Sequence, residues 1–137
     1  MGAAPLSVRT GPRRGHRVLV VEDDESTAAL LAAVVRQFGH ETVVVPDGAS
    51  ALAICDEFAP TVALVDLVLP GMDGCELGRR LRDRPRLGTL FLVAVTSLAS
   101  DADRRRTQEA GFDAHLAKPV DVASLARLLA NDFPPRG

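Results

Sequence analysis

The stretch Val18–Thr27, "VLVVEDDEST", decides the fold of this chain and indicates its chemistry. Four consecutive apolar residues are typical of a strand that is buried on both faces of a parallel sheet. The run ends abruptly in four carboxylates: Glu22, Asp23, Asp24 and Glu25. Asp24 or Glu25 is expected to cap the following helix. Close-packed carboxylates repel each other, so the remaining acids call for a counter-charge.

Length and composition are those of one globular domain. The chain has 137 residues, of which 47% are hydrophobic and 25% charged, with a net charge of −2. This charge gives no indication of nucleic acid binding, and no apolar run reaches the roughly 18 residues of a membrane span. Two cysteines without metal-type spacing favour reduced thiols in a cytoplasmic protein. We expect a flexible tail over residues 1–15, a domain over 16–131 and a second tail over 132–137.

Strand and helix patterns alternate along the chain. The predicted strands are Arg17–Val21, "ETVVV", "TVALVD", "LFLVAVT" and the short "HLAK". The predicted helices are "STAALLAAVVRQFGH", about Gly48–Glu57 after a cap at Asp47, about Cys75–Asp83, "SDADRRRTQEA", and a last helix capped by Asp121. Five strands alternating with five helices predict an α/β fold with a parallel sheet that is covered on both faces.

Apolar spacing predicts which side of each helix faces the core. In the first helix the inner face comprises Leu31, Val34, Val35 and Phe38, and in the last helix it comprises Val122, Leu125 and Leu129. Gly39 is expected to end the first helix. The only apolar members of "SDADRRRTQEA" are alanines, so this helix is expected to pack weakly.

Polar residues stand at the carboxyl ends of four predicted strands. Glu22 and Asp23 follow the first strand, Asp66 ends the third, Thr96 ends the fourth and Lys118 ends the fifth. In open parallel sheets, function gathers at this edge. The acid pair, Thr96 or Lys118 alone has an ordinary structural explanation. Asp66 is less easily explained in this way, because a buried carboxylate is costly without a partner. The occurrence of all of them at one edge favours a functional site.

The chemistry of this set suits a phosphoryl group. Mg²⁺ prefers carboxylate and water oxygens together with a phosphate, while an ammonium and a hydroxyl suit phosphoryl oxygens. A carboxylate can itself be a nucleophile and form an acyl phosphate. Asp66 is the best candidate, because it directly ends an apolar run opposite the acid cluster.

These motifs resemble a known family. "VLVVEDDE", "VDLVLPGMDG", "VTS" and "AKP" occur in the order and at the spacings of bacterial two-component response regulator receiver domains. The resemblance covers roughly Arg17 to Ala130. It implies a flavodoxin-like doubly wound sheet of five parallel strands in the order 2-1-3-4-5, with helices on both faces.

The resemblance also implies roles for individual residues. Asp66 matches the phosphoacceptor, and Glu22 and Asp23 match the acidic pair that holds Mg²⁺ together with Asp66. The backbone carbonyl of Val68 matches a further metal ligand. Thr96 matches the hydroxyl that turns toward the phosphoryl group.

The end of the fifth strand carries two further implied features. Lys118 matches the lysine that pairs with the phosphoryl group, and the Lys118–Pro119 bond is expected to be cis. His115 stands where the family usually has Tyr or Phe as the switch residue. It is either a tolerated substitute on an exposed edge, or it still swings toward Thr96 with weaker coupling.

Val68 and Leu98 are apolar at positions that influence phosphoryl loss, which predicts slow hydrolysis.

Two runs of arginine favour a solvated surface over nucleic acid contact. They are Arg79, Arg80, Arg82, Arg84 and Arg86, and then Arg104, Arg105 and Arg106.

The leading hypothesis is a phosphoryl-accepting signalling receiver that acts on its own and is not an enzyme beyond its own phosphorylation and dephosphorylation. A histidine kinase or phosphotransfer protein would be the donor. The face made by the fourth helix, fifth strand and fifth helix would control an effector. Phosphorylation-dependent homodimerisation is left open.

Three alternatives remain at this point. They are a receiver that binds without phosphate, a receiver cut from a hybrid kinase, and a phosphohydrolase of the haloacid-dehalogenase type. Val68 stands where such a hydrolase needs a second aspartate, and the chain has no room for a cap domain. Mg²⁺ binding would separate a phosphate-independent receiver from the leading hypothesis.

Overall fold

The computed structural model describes residues 15–97 and 100–130. The expected tails, residues 1–15 and 132–137, lie outside this part apart from Gly15, and so does Leu98. Within it, strands and helices alternate from Arg17 to Leu129, as the sequence predicts.

One parallel sheet forms the centre of the molecule. Its strands are β1 (Arg17–Val21), β2 (Glu41–Val45), β3 (Val62–Asp66), β4 (Phe91–Thr96) and β5 (Ala114–Ala117). They lie in the order β2-β1-β3-β4-β5, and all four neighbouring pairs are parallel. This is the doubly wound arrangement expected from the sequence. The carboxyl ends of all five strands therefore meet at one edge of the sheet.

Five α-helices cover the sheet in the described part of the chain. They are α1 (Glu25–Gln37), α2 (Gly48–Phe58), α3 (Gly74–Arg82), α4 (Asp101–Glu109) and α5 (Val122–Leu129), and a 3₁₀ turn spans Pro85–Leu87. Each α-helix begins after a polar side chain that accepts a backbone N–H of the first turn: Asp24, Asp47, Asp73, Ser100 and Asp121. None of the helices in these residues has the length and apolar content needed to cross a bilayer.

Two apolar cores lie on opposite faces of the sheet. Leu19 and Val65 belong to the core that α2 and α3 cover, whereas Val20 and Leu64 belong to the core that includes residues of α1 and α5. Successive side chains of a strand point to opposite faces, so a strand that is buried twice must be apolar at every position. The continuous apolar runs of the sequence therefore reflect this two-sided burial.

Two residues assigned to inner helix faces lie outside the cores. Phe38 is 49% exposed and Val122 is 46% exposed, so both predictions are wrong. Phe38 follows the last helical residue with non-helical backbone angles, immediately before Gly39 at a φ of 90°. Val122 is the first residue of α5. Helical periodicity holds only within a helix, so it misplaces side chains at the ends.

Helix α4 is attached differently from the others. Its only buried residue is Thr107, and its one apolar residue, Ala102, is exposed. This agrees with the expectation that the helix packs weakly, because almost no apolar area holds it to the sheet.

The arginines of α3 and the following loop are more than a solvated surface. Arg82 is half-buried and donates to the carbonyl oxygens of Leu90 and Gly111 at 2.7 Å, as well as to Asp113 at 2.9 Å. It therefore ties the end of α3 to the starts of β4 and β5. Arg80 and Arg84 form more exposed ion pairs with Glu76 and Asp56, which are worth little to stability.

Gly78 provides a test of the packing between α3 and the segment before β5. A Cβ at this position would lie 2.5 Å from Cε2 of Phe112, whose ring is buried. We expect Gly78→Ala to lower the free energy of unfolding by about 1–3 kcal/mol through overpacking. Denaturant unfolding followed by far-ultraviolet circular dichroism measures this change.

Gly88→Ala is the matched control. The nearest heavy atom to its added Cβ would be the carbonyl oxygen of Pro85 at 3.7 Å, an ordinary contact. Its unfolding free energy should stay within about 0.5 kcal/mol of the wild type. Equal midpoints for the two variants would contradict the packing argument.

Candidate functional site

Asp66 ends β3 as a buried carboxylate with two donors. It is 6% exposed. Oδ1 accepts the backbone N–H of Val68 at 3.0 Å, and Oδ2 accepts the ammonium of Lys118 at 3.1 Å. Burial of an ionised carboxylate is costly without such partners. The predicted phosphoacceptor is therefore held in a fixed position at the sheet edge.

The acid pair that follows β1 lies beside Asp66. Glu22 is 3% exposed, and Asp23 is exposed. Each of the three residues offers a carboxylate oxygen, and these oxygens all lie within 4.8 Å of one another. The structure thus brings together the three carboxylates that the sequence predicts at this edge.

One oxygen of Glu22 is buried without a hydrogen bond. Oε2 accepts the backbone N–H of Asp24 at 3.1 Å. Oε1 lies 3.0 Å from Nζ of Lys118 in an ion pair, and beyond this contact Oε1 has no hydrogen-bond partner among the described residues. We therefore treat the contact as an ion pair that leaves an acceptor unsatisfied.

The charges of this site perturb each other. Burial raises the pKa of Glu22, Lys118 lowers it, and the neighbouring Asp66 raises it again, so that the net shift is upward. Burial alone would lower the pKa of Lys118, but the two carboxylates outweigh burial and raise it. Lys118 therefore stays charged near neutral pH.

The residues present fit a hard divalent cation. Mg²⁺ takes oxygen ligands, usually one or two carboxylates with water and phosphate. The three clustered carboxylates supply such ligands, and the unsatisfied Oε1 of Glu22 is an acceptor that a cation would satisfy.

Thr96 and Lys118 are joined through the backbone. Thr96 ends β4 and is buried, and its carbonyl oxygen accepts the backbone N–H of Lys118 at 3.1 Å. The Lys118–Pro119 bond is cis, as expected. Both residues thus lie at the same edge as the acid cluster.

His115 lies on the edge strand, but its side chain is half-buried rather than exposed. Its Nε2 lies 2.6 Å from the hydroxyl oxygen of Thr107 on α4. The idea of a substitute on an exposed edge therefore does not describe this residue, and the swing toward Thr96 stays a prediction. Burial lowers the pKa of His115, and the nearby positive charge of Arg104 lowers it further.

Gly74 is a residue beside the site whose importance the sequence reasoning missed. It begins α3, where a Cβ would lie 2.5 Å from the carbonyl oxygen of Asp66 and 2.6 Å from Cα of Leu67. Its N–H donates to the carbonyl of Leu67 at 3.0 Å. Only glycine allows α3 to start this close to the backbone of Asp66. Its signal in the sequence is its place as the last residue of the motif "VDLVLPGMDG", directly after Asp73.

The environment of His115 predicts a titration below the ordinary pKa of histidine. Because the fold favours the neutral ring, the unfolded chain binds this proton more readily. The resulting stability is fully present above the ordinary pKa and is lost as pH falls through the folded pKa. Proton NMR of the His115 ring should locate the midpoint, and Arg104→Gln should raise it by removing a like charge. Arg105→Gln is the control and should leave it unchanged; an equal response to both substitutions would contradict the assignment.

Comparisons with known proteins agree with this geometry. The family model described as "Response regulator receiver domain" matches residues 18–130. The chain is 40% identical over 114 residues to the sensory transduction protein RegX3 of Mycobacterium tuberculosis, covering 82% of this chain and 49% of RegX3. It is 32% identical over 105 residues to the polar-differentiation response regulator DivK of Brucella anthropi, covering 77% of this chain and 85% of DivK. It therefore spans most of one relative and only half of another.

The solved structures lead to the same conclusion. The crystal structure of a putative response regulator from Chloroflexus aurantiacus superimposes with a TM-score of 0.79 at 31% identity, covering 86% of this chain and all of that one. The family model spans all five strands apart from the first residue of β1, and it includes each acidic and basic residue of the site. From the sheet order, the carboxylate cluster and these matches together, this chain belongs to the response regulator receiver domain family.

Proposed function

We propose that this protein accepts a phosphoryl group on Asp66 from a phosphohistidine of a histidine kinase or a histidine phosphotransfer protein. A carboxylate oxygen of Asp66 bonds to phosphorus as the phosphorus–nitrogen bond to the donor breaks, and the imidazole leaves with the electron pair. The product is an acyl phosphate on Asp66. The observation that carries the proposal is the buried Asp66 carboxylate, which Lys118 holds 3.1 Å from its ammonium beside Glu22 and Asp23.

Glu22, Asp23 and Asp66, with the backbone carbonyl of Val68, would hold Mg²⁺, which neutralises carboxylate and phosphoryl oxygens when bound. The ammonium of Lys118 orients the Asp66 carboxylate before transfer and pairs with a phosphoryl oxygen after it. The hydroxyl of Thr96 supplies a hydrogen bond to another phosphoryl oxygen. Lys118 and Thr96 would thus contact the negative charge and the hydrogen-bond acceptors that arrive on Asp66 with the phosphoryl group.

The signal would leave through the face made by α4, β5 and α5. Phosphorylation changes this face, and a downstream effector or a second copy of the chain reads the change. The weak packing of α4 supports this choice, because an element that buries little apolar area moves at low cost. The protein would work in the cytoplasm, where it would catalyse only its own phosphorylation and slow dephosphorylation.

Phosphorylation by a small donor tests the proposal directly. After incubation with acetyl phosphate and Mg²⁺, intact mass spectrometry should record a gain of one phosphoryl group. Asp66→Asn should show no gain, because an amide is not a competent nucleophile. A chelator should abolish the gain in the wild type.

The other outcomes separate the alternatives. No gain together with Mg²⁺ binding would require the test to be repeated with phosphohistidine donors. Absence of both phosphoryl gain and Mg²⁺ binding would support a receiver that acts without phosphate and would refute the proposal.

The lifetime of the phosphoryl group tests the role of Val68. This side chain is 67% exposed next to Asp66 and cannot hydrogen-bond an attacking water. We expect slow loss of the phosphoryl group in the wild type. In Val68→Asn the loss should be about two- to tenfold faster, which is the rate change that corresponds to the free energy of one hydrogen bond. The decay of the phosphorylated mass after donor removal measures it.

Leu30→Asn is the matched control, because Leu30 is also an exposed apolar residue but lies on α1. An unchanged rate in Val68→Asn, or equal acceleration in both variants, would contradict the role given to Val68.

A further inference from the structure

Helix α4 is held to the sheet by a polar contact. Within Asp101–Glu109 only Thr107 is buried, and the three arginines of the helix are exposed. The buried Ala110 and Phe112 follow the helix and anchor only its carboxyl end. The position of the helix body over the sheet therefore depends on the contacts of Thr107.

The hydroxyl of Thr107 connects α4 to β5. Its oxygen lies 2.9 Å from the carbonyl oxygen of Arg104 and 2.6 Å from Nε2 of His115. A hydroxyl has one proton, and a carbonyl can only accept. If that proton goes to Arg104, Nε2 of His115 carries a hydrogen and donates it to Thr107. In that arrangement the hydroxyl of Thr107 donates to the carbonyl of Arg104 and accepts from Nε2 of His115.

Strand register places His115 near the candidate site as well. His115 pairs with Ala94 of β4, and Ala117 pairs with Thr96. Ala94 and Thr96 are two residues apart and share a face of the sheet, so His115 lies on that same face, one pair away from Thr96. The imidazole of His115 therefore contacts the hydroxyl of Thr107 on α4 and lies one strand pair away from a second hydroxyl residue, Thr96, at the proposed phosphorylation site.

We propose that Thr107 is a positioning residue that latches the unphosphorylated state. This inference rests on the proposed function. The bond from His115 holds α4 on β5 and keeps the imidazole away from Thr96. Phosphorylation that draws His115 toward Thr96 breaks the bond, and α4 loses the hydrogen bond that joins its one buried residue, Thr107, to β5. The Thr107 hydroxyl thereby sets the balance between the two states.

Thr107→Val tests the latch because valine keeps the shape of threonine and removes the hydroxyl. Hydrogen exchange of the α4 amides in the unphosphorylated protein should accelerate about two- to tenfold, which corresponds to one hydrogen bond. The same variant should bind beryllofluoride with Mg²⁺ more tightly by a similar factor, because the bond opposes the active state. Fluorine NMR of the bound phosphoryl analogue measures this affinity.

Two variants serve as controls. Thr107→Ser keeps the hydroxyl and should match the wild type in both measurements. Thr42→Val removes a partly buried hydroxyl bond to the carbonyl of Val18 at the other edge of the sheet. It should change neither the exchange of α4 nor the affinity for beryllofluoride.

His115→Phe removes the same bond from the other side and remains informative if Thr107→Val does not fold. It should accelerate α4 exchange as Thr107→Val does. In a double-mutant cycle, adding Thr107→Val to His115→Phe should produce no further acceleration. Additive effects on exchange would overturn the latch.

A purely structural role for Thr107 would give a different result. Faster α4 exchange with unchanged or weaker beryllofluoride affinity would overturn the proposal, and so would unchanged exchange. If the wild type takes up no beryllofluoride, the proposed function fails instead. The exchange comparison then still decides whether Thr107 holds α4.

Discussion

The ammonium of Lys118 between two buried carboxylates is the interaction on which the site depends. It lies 3.0 Å from Glu22 and 3.1 Å from Asp66. Because β4 stands between β3 and β5, the lysine side chain must reach across the end of β4 to meet Asp66. The backbone bond from Lys118 to Thr96 fixes its starting point. Sheet order and the length of the lysine side chain together therefore bring the ammonium of Lys118 to Glu22 after β1 and Asp66 on β3, although neither strand is next to β5.

The strand register separates the apolar cores from the polar residues of the candidate site. Apart from Arg17 at the start of β1, each of the central strands is apolar up to its end, and a polar residue then ends or follows it. A one-residue slip in pairing would turn every side chain of a strand to the opposite face. Burial on both faces does not by itself forbid such a slip, but the polar residues at the ends would then lose their partners. The site and the register thus support each other.

The sequence predicted the parts of the fold that follow from simple repeats. Continuous apolar runs identified the strands, and single aspartates identified helix starts, because each has a local physical cause. Prediction failed at Phe38 and Val122, where a helical pattern extended past the positions at which helical geometry holds.

The missed site features were contacts between residues on different elements of the fold. The need for glycine at position 74 comes from the backbone of Asp66 and Leu67, which the chain folds against it. The partner of His115 depends on which way Thr107 points from α4, and a helix without an apolar stripe gives no sign of its rotation. The residues that converge at the edge were predictable because strand direction alone brings them together.

The polar character of α4 has a thermodynamic consequence. The heat capacity change of a conformational transition follows mainly from the apolar surface that it exposes. Displacing a helix whose single buried residue is a threonine exposes little such surface. The enthalpy of that movement would therefore vary little with temperature, and the balance between attached and displaced α4 would follow a nearly straight van't Hoff line. Temperature would therefore have a simple, nearly linear effect on the logarithm of the equilibrium constant through which such a receiver responds to its chemical signal.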